Sequence, residues 1–261
     1  MTRIITDLSD ADIRAKAPAV FATAPHKNLS DRYSFIPTFD VLNALRAEGF
    51  VVTQASQDRS LHGSDPRLAR HVLKLQQRDA QPIVGEGVMQ FLLSNSHNGS
   101  SALQVRGGFY RFVCSNGMVV GTDMMKARER HAGDAAREAI DRVKQLARHT
   151  DVLTRLIEGW KSKELTERKE REFAARALVL RFGEDRAKQY EPSALLGARR
   201  AEDEGRSVWA VLNRIQENAM RGGQEGRSAT GRAVRSRELK GIAQDLEFNG
   251  SLWKLAEEVA A

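Results

Sequence analysis

Apolar and polar residues alternate along the first half of the chain and then change to a helical spacing. The alternation predicts strands over "FVVTQASQ" (50–57), "HVLKLQQRD" (71–79) and "GVMQFLLSN" (87–95). After Gly121 the apolar positions recur every three or four residues, which is typical of amphipathic helices. Strands followed by helices predict an α+β fold, with an antiparallel sheet and hairpins in the N-terminal half and mostly helices in the C-terminal half.

Capping residues locate two short helices near the start of the chain. Ser9 precedes the first one, and Asp12 occupies the position where a capping box has its acidic residue. Thr38 is placed to cap the second helix, and Gly49 is placed to end it. Residues 24–37 between these helices are predicted to form a loop, and the first strand follows Gly49.

Longer helices follow the strand region. Apolar residues from Asp134 to Trp160 lie on one face and predict a single long helix that packs on the sheet. Thr166 and Ser207 are placed to begin later helices. The predicted regions are an N-terminal helix and loop (1–37), an α+β core (38–190) and a helical C-terminal region with a basic Gly/Arg-rich loop (191–261).

The segment "LLSNSHNGSSALQVRGGFYRFVCSNGMVVG" (92–121) is rich in turn residues. Asn98 and Gly99 lie between two alternating runs and predict a two-residue type I′ turn, because both residues tolerate a positive φ. Residues 91–96 and 101–106 should therefore pair antiparallel. We interpret the segment as a turn-rich hairpin sheet and not as an active site.

Gly107 and Gly108 interrupt the second strand of this hairpin. Strict alternation across them would place Arg111 beside buried leucines, which is costly for a charge without a partner. A β-bulge at the two glycines would reverse the alternation and turn Arg106, Phe109 and Arg111 outward. The sequence therefore predicts a bulge, with Phe109 exposed between two arginines.

Residues with catalytic potential are sparse. Cys114 is the one cysteine, and because no nucleophile signature surrounds it, we expect a small core residue. His97 has no second metal ligand at a usable spacing and is interpreted as decoration of a turn. The chain contains neither G-x-x-x-x-G-K-S/T nor a G-x-G-x-x-G that opens a helix. These observations predict a protein that is not an enzyme and requires no cofactor or metal.

A basic excess narrows the class of partner. Lys and Arg number 41 against 34 Asp and Glu, which gives a formal net charge of +7 and a pI near 9.7. This excess favours nucleic acid over a membrane or an acidic protein, and solvated surface charge is the alternative. No apolar run is long enough to span a bilayer and the first residues lack a signal-peptide core, so we expect the cytoplasm.

Five segments together resemble the family of domain of unknown function 932, whose relatives occur on enterobacterial prophages and conjugative plasmids. The segments are "FIPTFDVLNALRAEGF", "ARHVLKLQQRD", "LLSNSHNGSSALQV", "GFYRFVCSNGMVVG" and "IQENAMRGG…TGRAVRSRELKGIAQDLEFNGSLWKLAEE". The resemblance extends over residues 33–258. It implies a phage or plasmid protein and transfers no catalytic residue to this chain.

The order of the predicted elements is also similar to that of single-strand annealing proteins of the RecT/Redβ type. In both, a short helix precedes a strand, hairpin strands follow, and one long helix crosses the sheet. This resemblance concerns topology alone. It implies assembly into rings or filaments that hold single-stranded DNA along a basic groove.

Charge and resemblance together favour a non-enzymatic protein that binds and anneals single-stranded DNA in recombination and forms homo-oligomers. Arg106 and Arg111, with Phe109 as a stacking platform, are the first group of candidate contacts. The other candidates follow the strand-to-helix bend and the Gly/Arg-rich loop: Lys126, Arg128, Arg130, Arg221, Arg227, Arg232, Arg235 and Arg237. We expect the loop to be flexible and to become ordered on a phosphate backbone.

Two other functions stay open at this point. One is an interaction protein that binds or inhibits a host protein, with Trp209 or Trp253 as exposed anchors. The other is a nuclease or hydrolase whose catalytic residues meet only in the folded chain. Each candidate arginine also has the simpler interpretation of a solvated surface charge.

Overall fold

The alternating segments of the N-terminal half form an antiparallel sheet in the computed structural model of the protein. The structure describes residues 7–29, 33, 35–58, 65–82, 87–111, 118–119, 126–128, 135–147 and 150–261, and for some of these within helices and strands only the backbone. The chain divides into two compact units, residues 1–117 with 123–150 and residues 118–122 with 151–261. The division near residue 150 falls inside the region that the sequence analysis assigned to one core.

The secondary structure follows the predicted order of strands and then helices. The strands are β1 Phe50–Gln57, β2 His71–Gln77, β3 Gly87–Asn95, β4 Gln104–Arg111, β5 Met118–Val119, β6 Lys126–Arg128, β7 Glu225–Arg227 and β8 Ala233–Arg235. The helices are α1 Asp10–Lys16, α2 Thr38–Ala47, α3 Ala135–Ala147, α4 Thr150–Ser162, α5 Glu167–Phe182, α6 Glu184–Ala187, α7 Val208–Arg221 and α8 Ile242–Ala260. Short 3₁₀ helices lie at Pro18–Phe21, Pro66–Leu68, Pro192–Leu195 and Ala201–Asp203. The α+β prediction is confirmed.

The sheet of the first unit has its strands in chain order. Strands β1 to β4 pair antiparallel with their sequence neighbours, and β6 pairs with β4. Leu73, Leu93 and Val105 lie side by side on three strands and are buried, so they form one row of the core. The strand β3 is buried along its entire length, which explains its nearly continuous run of apolar residues.

The bulge predicted at Gly107 and Gly108 is wrong. The register of β3 and β4 runs without a shift, and Gly107 lies opposite Phe91 in an ordinary pair. The glycine adds no side chain on that face, so the Phe91 ring can lie buried there without a clash. The sheet does contain an irregularity, but it lies in β1, where the register with β2 shifts between Val52 and Gln54.

The predicted antiparallel pairing around Asn98 and Gly99 is confirmed, but the two-residue turn is wrong. The last pair of β3 and β4 joins Ser94 to Gln104, which leaves a longer connection. Ser96 closes this connection, because its Oγ accepts from the Ser101 amide at 2.7 Å and donates to the Ser101 carbonyl at 2.9 Å. Gly99 does have the expected positive φ of 80°.

The outer edge of β1 is partly covered by the N-terminal segment. The Leu8 amide donates to the Val52 carbonyl at 2.8 Å, and the Val52 amide donates to the Asp7 carboxylate at 3.2 Å. Ser9 and Asp12 next to this segment form the predicted capping box of α1. The backbone groups of Val52 are therefore not available for pairing with another strand.

Within the described residues, the predicted long helix from Asp134 to Trp160 corresponds to two helices, α3 and α4. The helix α3 belongs to the first unit, where it packs against α2 and β4, and Lys144 pairs with Glu48 at 2.7 Å. The helix α4 belongs to the second unit from Asp151 onward. Residues 148 and 149 lie outside the described residues, as does Cys114.

The second unit is built from helices around a cluster of indole rings. Helix α5 packs against α7 and α8, and α7 packs against α8. Trp160 lies 4.6 Å from Trp253 and 6.5 Å from Trp209 between ring centroids, and all three are buried. Thr166 and Ser207 cap α5 and α7 as predicted, through backbone amides three residues later. Among the described residues, no helix combines the length and the apolar character needed to cross a membrane.

Candidate nucleic-acid interface

The first predicted group of contacts is separated by the sheet. Phe109 is fully buried and lies on the same face as Val105, so its prediction as an exposed stacking platform is wrong. Arg106 lies on the opposite face, half-buried, and its Nη2 donates to the Gln104 side chain at 2.9 Å. Burial lowers the pKa of the Arg106 guanidinium. The missing bulge is the cause, because the alternation continues unbroken through both glycines.

The candidates at the strand-to-helix bend are only partly described. The backbones of Lys126 and Arg128 form β6, where they pair with Arg106 and Gln104. The side chains of Lys126, Arg128 and Arg111 lie outside the described residues, and so does all of Arg130. These positions remain candidates from the sequence alone.

The Gly/Arg-rich loop predicted to be flexible is a β-hairpin, which corrects the sequence interpretation. Strands β7 and β8 pair from Glu225 opposite Arg235 to Arg227 opposite Ala233. The Ser228 amide donates to the Arg232 carbonyl at 2.9 Å and closes the turn. The turn also contains Gly231 with a φ of 79°, where a residue without a side chain is favoured.

The hairpin is held against the chain before it by a close backbone approach. The Arg227 amide donates to the Gln189 carbonyl at 2.9 Å, and Gly226 pairs with Tyr190. A Cβ atom on Gly226 would lie 2.1 Å from the Gln189 carbonyl oxygen, so the position requires glycine. At the base of the hairpin, Ser236 and Gln224 bond through both backbone and side chains. The hairpin arginines are thus attached to a fixed backbone.

A cavity lies between this hairpin and the end of α5, and we call it the arginine pocket. Its volume is about 500 Å³. The lining residues are Arg181, Phe182, Arg186, Gln189, Tyr190, Val234, Arg235, Arg237 and Gln244. Among the described residues, four arginines and no carboxylate line it. Two of the four, Arg235 and Arg237, were predicted from the sequence.

Backbone carbonyls, and not carboxylates, position two of the four guanidinium groups of the pocket. Arg181 donates from Nε to the Ala219 carbonyl at 3.2 Å and from Nη2 to the Arg237 carbonyl at 3.0 Å. Arg235 donates from Nε to the Gly223 carbonyl at 3.3 Å. Burial, followed by the nearby charge of Arg186, lowers the pKa of Arg181. Because a carbonyl carries no net charge, these bonds do not neutralise the two guanidinium groups.

Two aromatic rings form one wall of the pocket. Phe182 and Tyr190 stack with 4.7 Å between centroids and 27° between planes. The guanidinium carbons of Arg181 and Arg186 lie 4.9 Å and 5.9 Å from the centroid of Phe182. Aromatic rings and guanidinium planes both stack on nucleobases. The wall therefore places aromatic rings beside the guanidinium groups of the pocket.

The remaining arginines of the predicted loop differ in their surroundings. Arg221 pairs with Glu217 at 3.0 Å, and this buried carboxylate also pairs with Arg200 at 2.8 Å. Arg227 and Arg232 are exposed on the hairpin, outside the lining of the pocket. The charge of Arg221 is thus partly compensated, while Arg227 and Arg232 extend the basic surface.

Sequence reasoning missed Arg181, Phe182, Arg186 and Tyr190. They occur within "VLRFGEDRAKQY" (179–190), where basic and aromatic residues lie on both sides of a helix-ending glycine. This segment carries no motif that distinguishes it from an ordinary helix end. Its contact with residues about 50 positions later follows from the fold, so only the pattern of Arg and aromatic residues could have drawn attention to it.

His97, predicted to decorate a turn, is fully buried in the first unit, and this corrects the prediction. Its ring lies 5.2 Å from that of His71, which is also fully buried. Thr38 stands between them, with its Oγ1 at 2.8 Å from His71 Nε2 and 3.3 Å from His97 Nε2. Asn95 completes the group by donating to the Thr38 hydroxyl at 3.0 Å. We call these four residues the histidine network.

The hydrogen bonds assign the proton of His71. His71 Nδ1 lies 2.9 Å from the Ala69 carbonyl and must donate, so His71 Nε2 accepts from the Thr38 hydroxyl. The Thr38 oxygen can then accept from Asn95 Nδ2 and from His97 Nε2. The prediction that Thr38 caps α2 is wrong, because the hydroxyl makes no capping bond and serves this network instead.

Burial determines the charge of both histidines. It lowers the pKa of His71 to about 4 and that of His97 to about 4. Both rings are therefore neutral at neutral pH. No group of three ligating side chains that could hold a metal ion occurs in the part of the chain that the structure describes. The histidine network is a buried structural element of the first unit.

Comparison with known proteins identifies the family. The model of the domain of unknown function DUF932 matches residues 25–253. The chain belongs to the DUF932 family. This confirms the resemblance found in the sequence, and both the arginine pocket and the histidine network lie within the matched residues. The topological similarity to single-strand annealing proteins stays a prediction.

Two relatives from Escherichia coli (strain K12) match most of the chain. The UPF0380 protein YafZ is 35% identical over 240 residues, which cover 92% of this chain and 87% of the relative. The UPF0380 protein YfjQ is 36% identical over 243 residues, with the same coverage of both chains. No solved structure matches the chain at a significant level.

Proposed function

We propose that this DUF932 protein binds single-stranded DNA through the arginine pocket and the adjoining β7–β8 hairpin, without hydrolysing a nucleotide. The observation that carries the proposal is the convergence of four arginines on one cavity with no carboxylate among its described lining residues. Like charges repel, so such a cluster is favourable when an anion neutralises it. Guanidinium groups bind phosphate oxygens through paired hydrogen bonds, and nucleic acid is the anion best matched to a basic protein.

The aromatic wall favours a single strand over a duplex. The faces of bases are available for stacking in a single strand and are covered in a duplex. Phe182 is half-exposed beside the guanidinium groups of Arg181 and Arg186. A strand that places a phosphate among the arginines would bring a neighbouring base to this wall.

The physiological role we propose is annealing during recombination of a phage, prophage or plasmid, in the cytoplasm. Annealing requires no ATP, which agrees with a sequence that lacks a phosphate-binding loop. We also propose that the protein forms homo-oligomers. The N-terminal segment already bonds to the backbone of Val52. If the β1 edges of two subunits pair, Val52 therefore takes no part in that pairing.

The proposal that the protein binds a host protein has a narrower basis. Trp209 and Trp253 are buried, so neither can act as an exposed anchor. Val179 and Leu180 are large apolar residues that are 41% and 42% exposed, and they precede Arg181 on α5. A protein partner with acidic and apolar groups could use this part of the helix together with the pocket.

Fluorescence anisotropy with single- and double-stranded oligonucleotides, measured over a range of salt concentrations, tests the proposed function. We expect binding of single strands that weakens as salt increases, without added nucleotide or metal. A double variant Arg186→Gln/Arg237→Gln should bind more weakly and show a salt slope smaller by about 0.7 for each lost phosphate contact.

Arg168→Gln provides a matched control for this experiment. Arg168 is an exposed arginine of α5 that lies roughly 20 Å along the helix axis from Arg181. The control should retain the affinity and the salt slope of the unmodified protein. Absence of single-strand binding at low salt would refute the proposed function and leave the protein-binding alternative as the next to test.

A further inference from the structure

We infer that the arginine pocket holds the phosphorylated end of a single strand, with the terminal base against the aromatic wall, while the exposed hairpin arginines contact the internal phosphates that follow. The inference rests on the proposed function and specifies its ligand as a phosphomonoester. The pocket would bind the terminal phosphate of the strand, and the hairpin would bind the phosphates that follow it.

The concentration of charge supports an end over an internal phosphate. An internal phosphodiester carries one negative charge and two unesterified oxygens. A terminal phosphomonoester carries a charge of about −1.5 to −2 at neutral pH and offers three acceptor oxygens. Arg181, Arg186, Arg235 and Arg237 line one cavity, so several guanidinium groups lie within reach of one ligand. A row of spaced arginines would suit a chain of diesters better.

The backbone around the pocket is positioned before a ligand binds. Arg181 bonds to the carbonyl of Arg237, which links the end of α5 to the segment after β8. The Arg227 amide donates to the Gln189 carbonyl at 2.9 Å, which joins the hairpin to the chain before it. A preformed set of donors favours one compact anion, because little conformational freedom is lost on binding.

The dimensions and the wall fit one nucleotide. The cavity of about 500 Å³ lies in the range of pockets that enclose small ligands. Phe182, stacked on Tyr190, lies beside the guanidinium groups of Arg181 and Arg186, where the base attached to the terminal phosphate would lie. Arg227 and Arg232 are exposed outside the pocket and are available for the phosphodiesters beyond that nucleotide.

The test compares the affinity of the full-length protein for one DNA sequence prepared in four forms. These forms carry a 5′ phosphate, a 3′ phosphate, hydroxyl groups at both ends, or no ends because the strand is circular. We expect a phosphate at one end to raise the affinity about tenfold, as for one added charge-assisted contact. A deoxynucleoside monophosphate should compete with the phosphorylated strand, and the comparison of the two ends identifies which phosphate is bound.

Variants locate the effect. Arg186→Gln and Arg237→Gln, separately and together, should remove the preference for a phosphorylated end, whereas Arg227→Gln should weaken all four forms equally and retain the preference. Arg168→Gln should change neither the affinity nor the preference for a phosphorylated end. Near-ultraviolet circular dichroism verifies that each variant is folded. Because these arginines are exposed, the substitutions leave the core intact.

The possible results separate this inference from the proposed function. Equal affinity for all four forms would overturn the inference while single-strand binding stands. A preference that persists in the Arg186→Gln/Arg237→Gln protein would overturn the assignment to this pocket. Binding of none of the forms would overturn both the inference and the proposed function.

Discussion

Polar residues in the two units have opposite surroundings. In the histidine network of the first unit, the hydroxyl of Thr38 bonds to both histidines and to Asn95 inside the core. In the arginine pocket of the second unit, the guanidinium groups face a cavity without a carboxylate among the described lining residues. Groups that satisfy one another stabilise the fold, whereas charges left without a counter-ion are available to a ligand.

The largest effect that we expect from this difference is acid sensitivity of the first unit. The unfolded chain takes up protons on His71 and His97 below their ordinary pKa of 6.5, whereas the fold resists protonation until about 4. The free energy of unfolding therefore has its full value above pH 6.5 and decreases as the pH falls toward about 4. The loss is on the order of 3 kcal/mol per histidine, at about 1.4 kcal/mol for each pKa unit.

Urea unfolding followed by far-ultraviolet circular dichroism at successive pH values measures this loss. In a His71→Gln variant the decrease with falling pH should be shallower, because one of the two titrating groups is absent. An unfolding free energy that stays constant from neutral pH down to about 4 would show that burial does not keep the two rings neutral.

The second prediction concerns the shared hydroxyl itself. Thr38→Val keeps the shape of the side chain but leaves three buried polar groups without their common partner, so the unfolding free energy should fall by about 3 kcal/mol. Thr23→Val makes the same chemical change at an exposed site and should alter it by less than about 0.5 kcal/mol. A Thr38→Val protein as stable as the unmodified one would mean that the network contributes little.

The third prediction tests whether the hairpin must be held in place. Gly226→Ala would put a Cβ atom 2.1 Å from the Gln189 carbonyl oxygen, so β7 must move away. We expect a loss of about 2 kcal/mol in stability and weaker binding of single-stranded DNA. Hydrogen exchange measured by mass spectrometry should increase over residues 223–237.

Gly159→Ala is the matched control for that substitution. Gly159 lies within α4 and has open space where a Cβ would stand, so alanine should fit and stabilise the helix by about 0.5–1 kcal/mol. Unchanged exchange over residues 223–237 in the Gly226→Ala protein would argue against the close approach of the hairpin.

The smallest predicted effect separates two phenylalanines. Phe182→Leu should reduce the affinity for single-stranded DNA by about 1 kcal/mol with an unchanged salt slope, because stacking releases no counter-ions. Phe109→Leu should leave the affinity unchanged and instead lower the unfolding free energy by about 1–2 kcal/mol, since Phe109 is fully buried. Weaker DNA binding by the Phe109→Leu protein, with unchanged binding by the Phe182→Leu protein, would indicate that Phe109 is the stacking residue.

The strands could be predicted from the sequence because alternation is a local signal. The predicted bounds of β1 and β3 agree with the structure, and Ser9 and Ser207 begin helices through bonds to residues three positions away. Thr38 has the same local pattern, yet its hydroxyl turns into the core. Local preference could not reveal that two histidines, distant in sequence, lie close enough to compete for it.

The candidate site could be predicted only in part. Arg235 and Arg237 stood out because basic residues are concentrated in one segment, whereas Arg181 and Arg186 belong to a distant helix end and join them only in the fold. The predicted bulge relied on the cost of burying Arg111, whose side chain lies outside the described residues. The register then placed Phe109 in the core, which no property of its own segment indicates.

The cluster of indole rings allows the folding of the second unit to be followed by tryptophan spectroscopy. All three tryptophans of the chain are Trp160, Trp209 and Trp253, so excitation of tryptophan selects this unit without a label. Their ring separations of 4.6 Å and 6.5 Å allow electronic coupling between indoles, which gives a near-ultraviolet signal that is lost when the rings separate. Tryptophan emission therefore follows the helices, while backbone dichroism follows both units, and one sample can report two separate melting transitions.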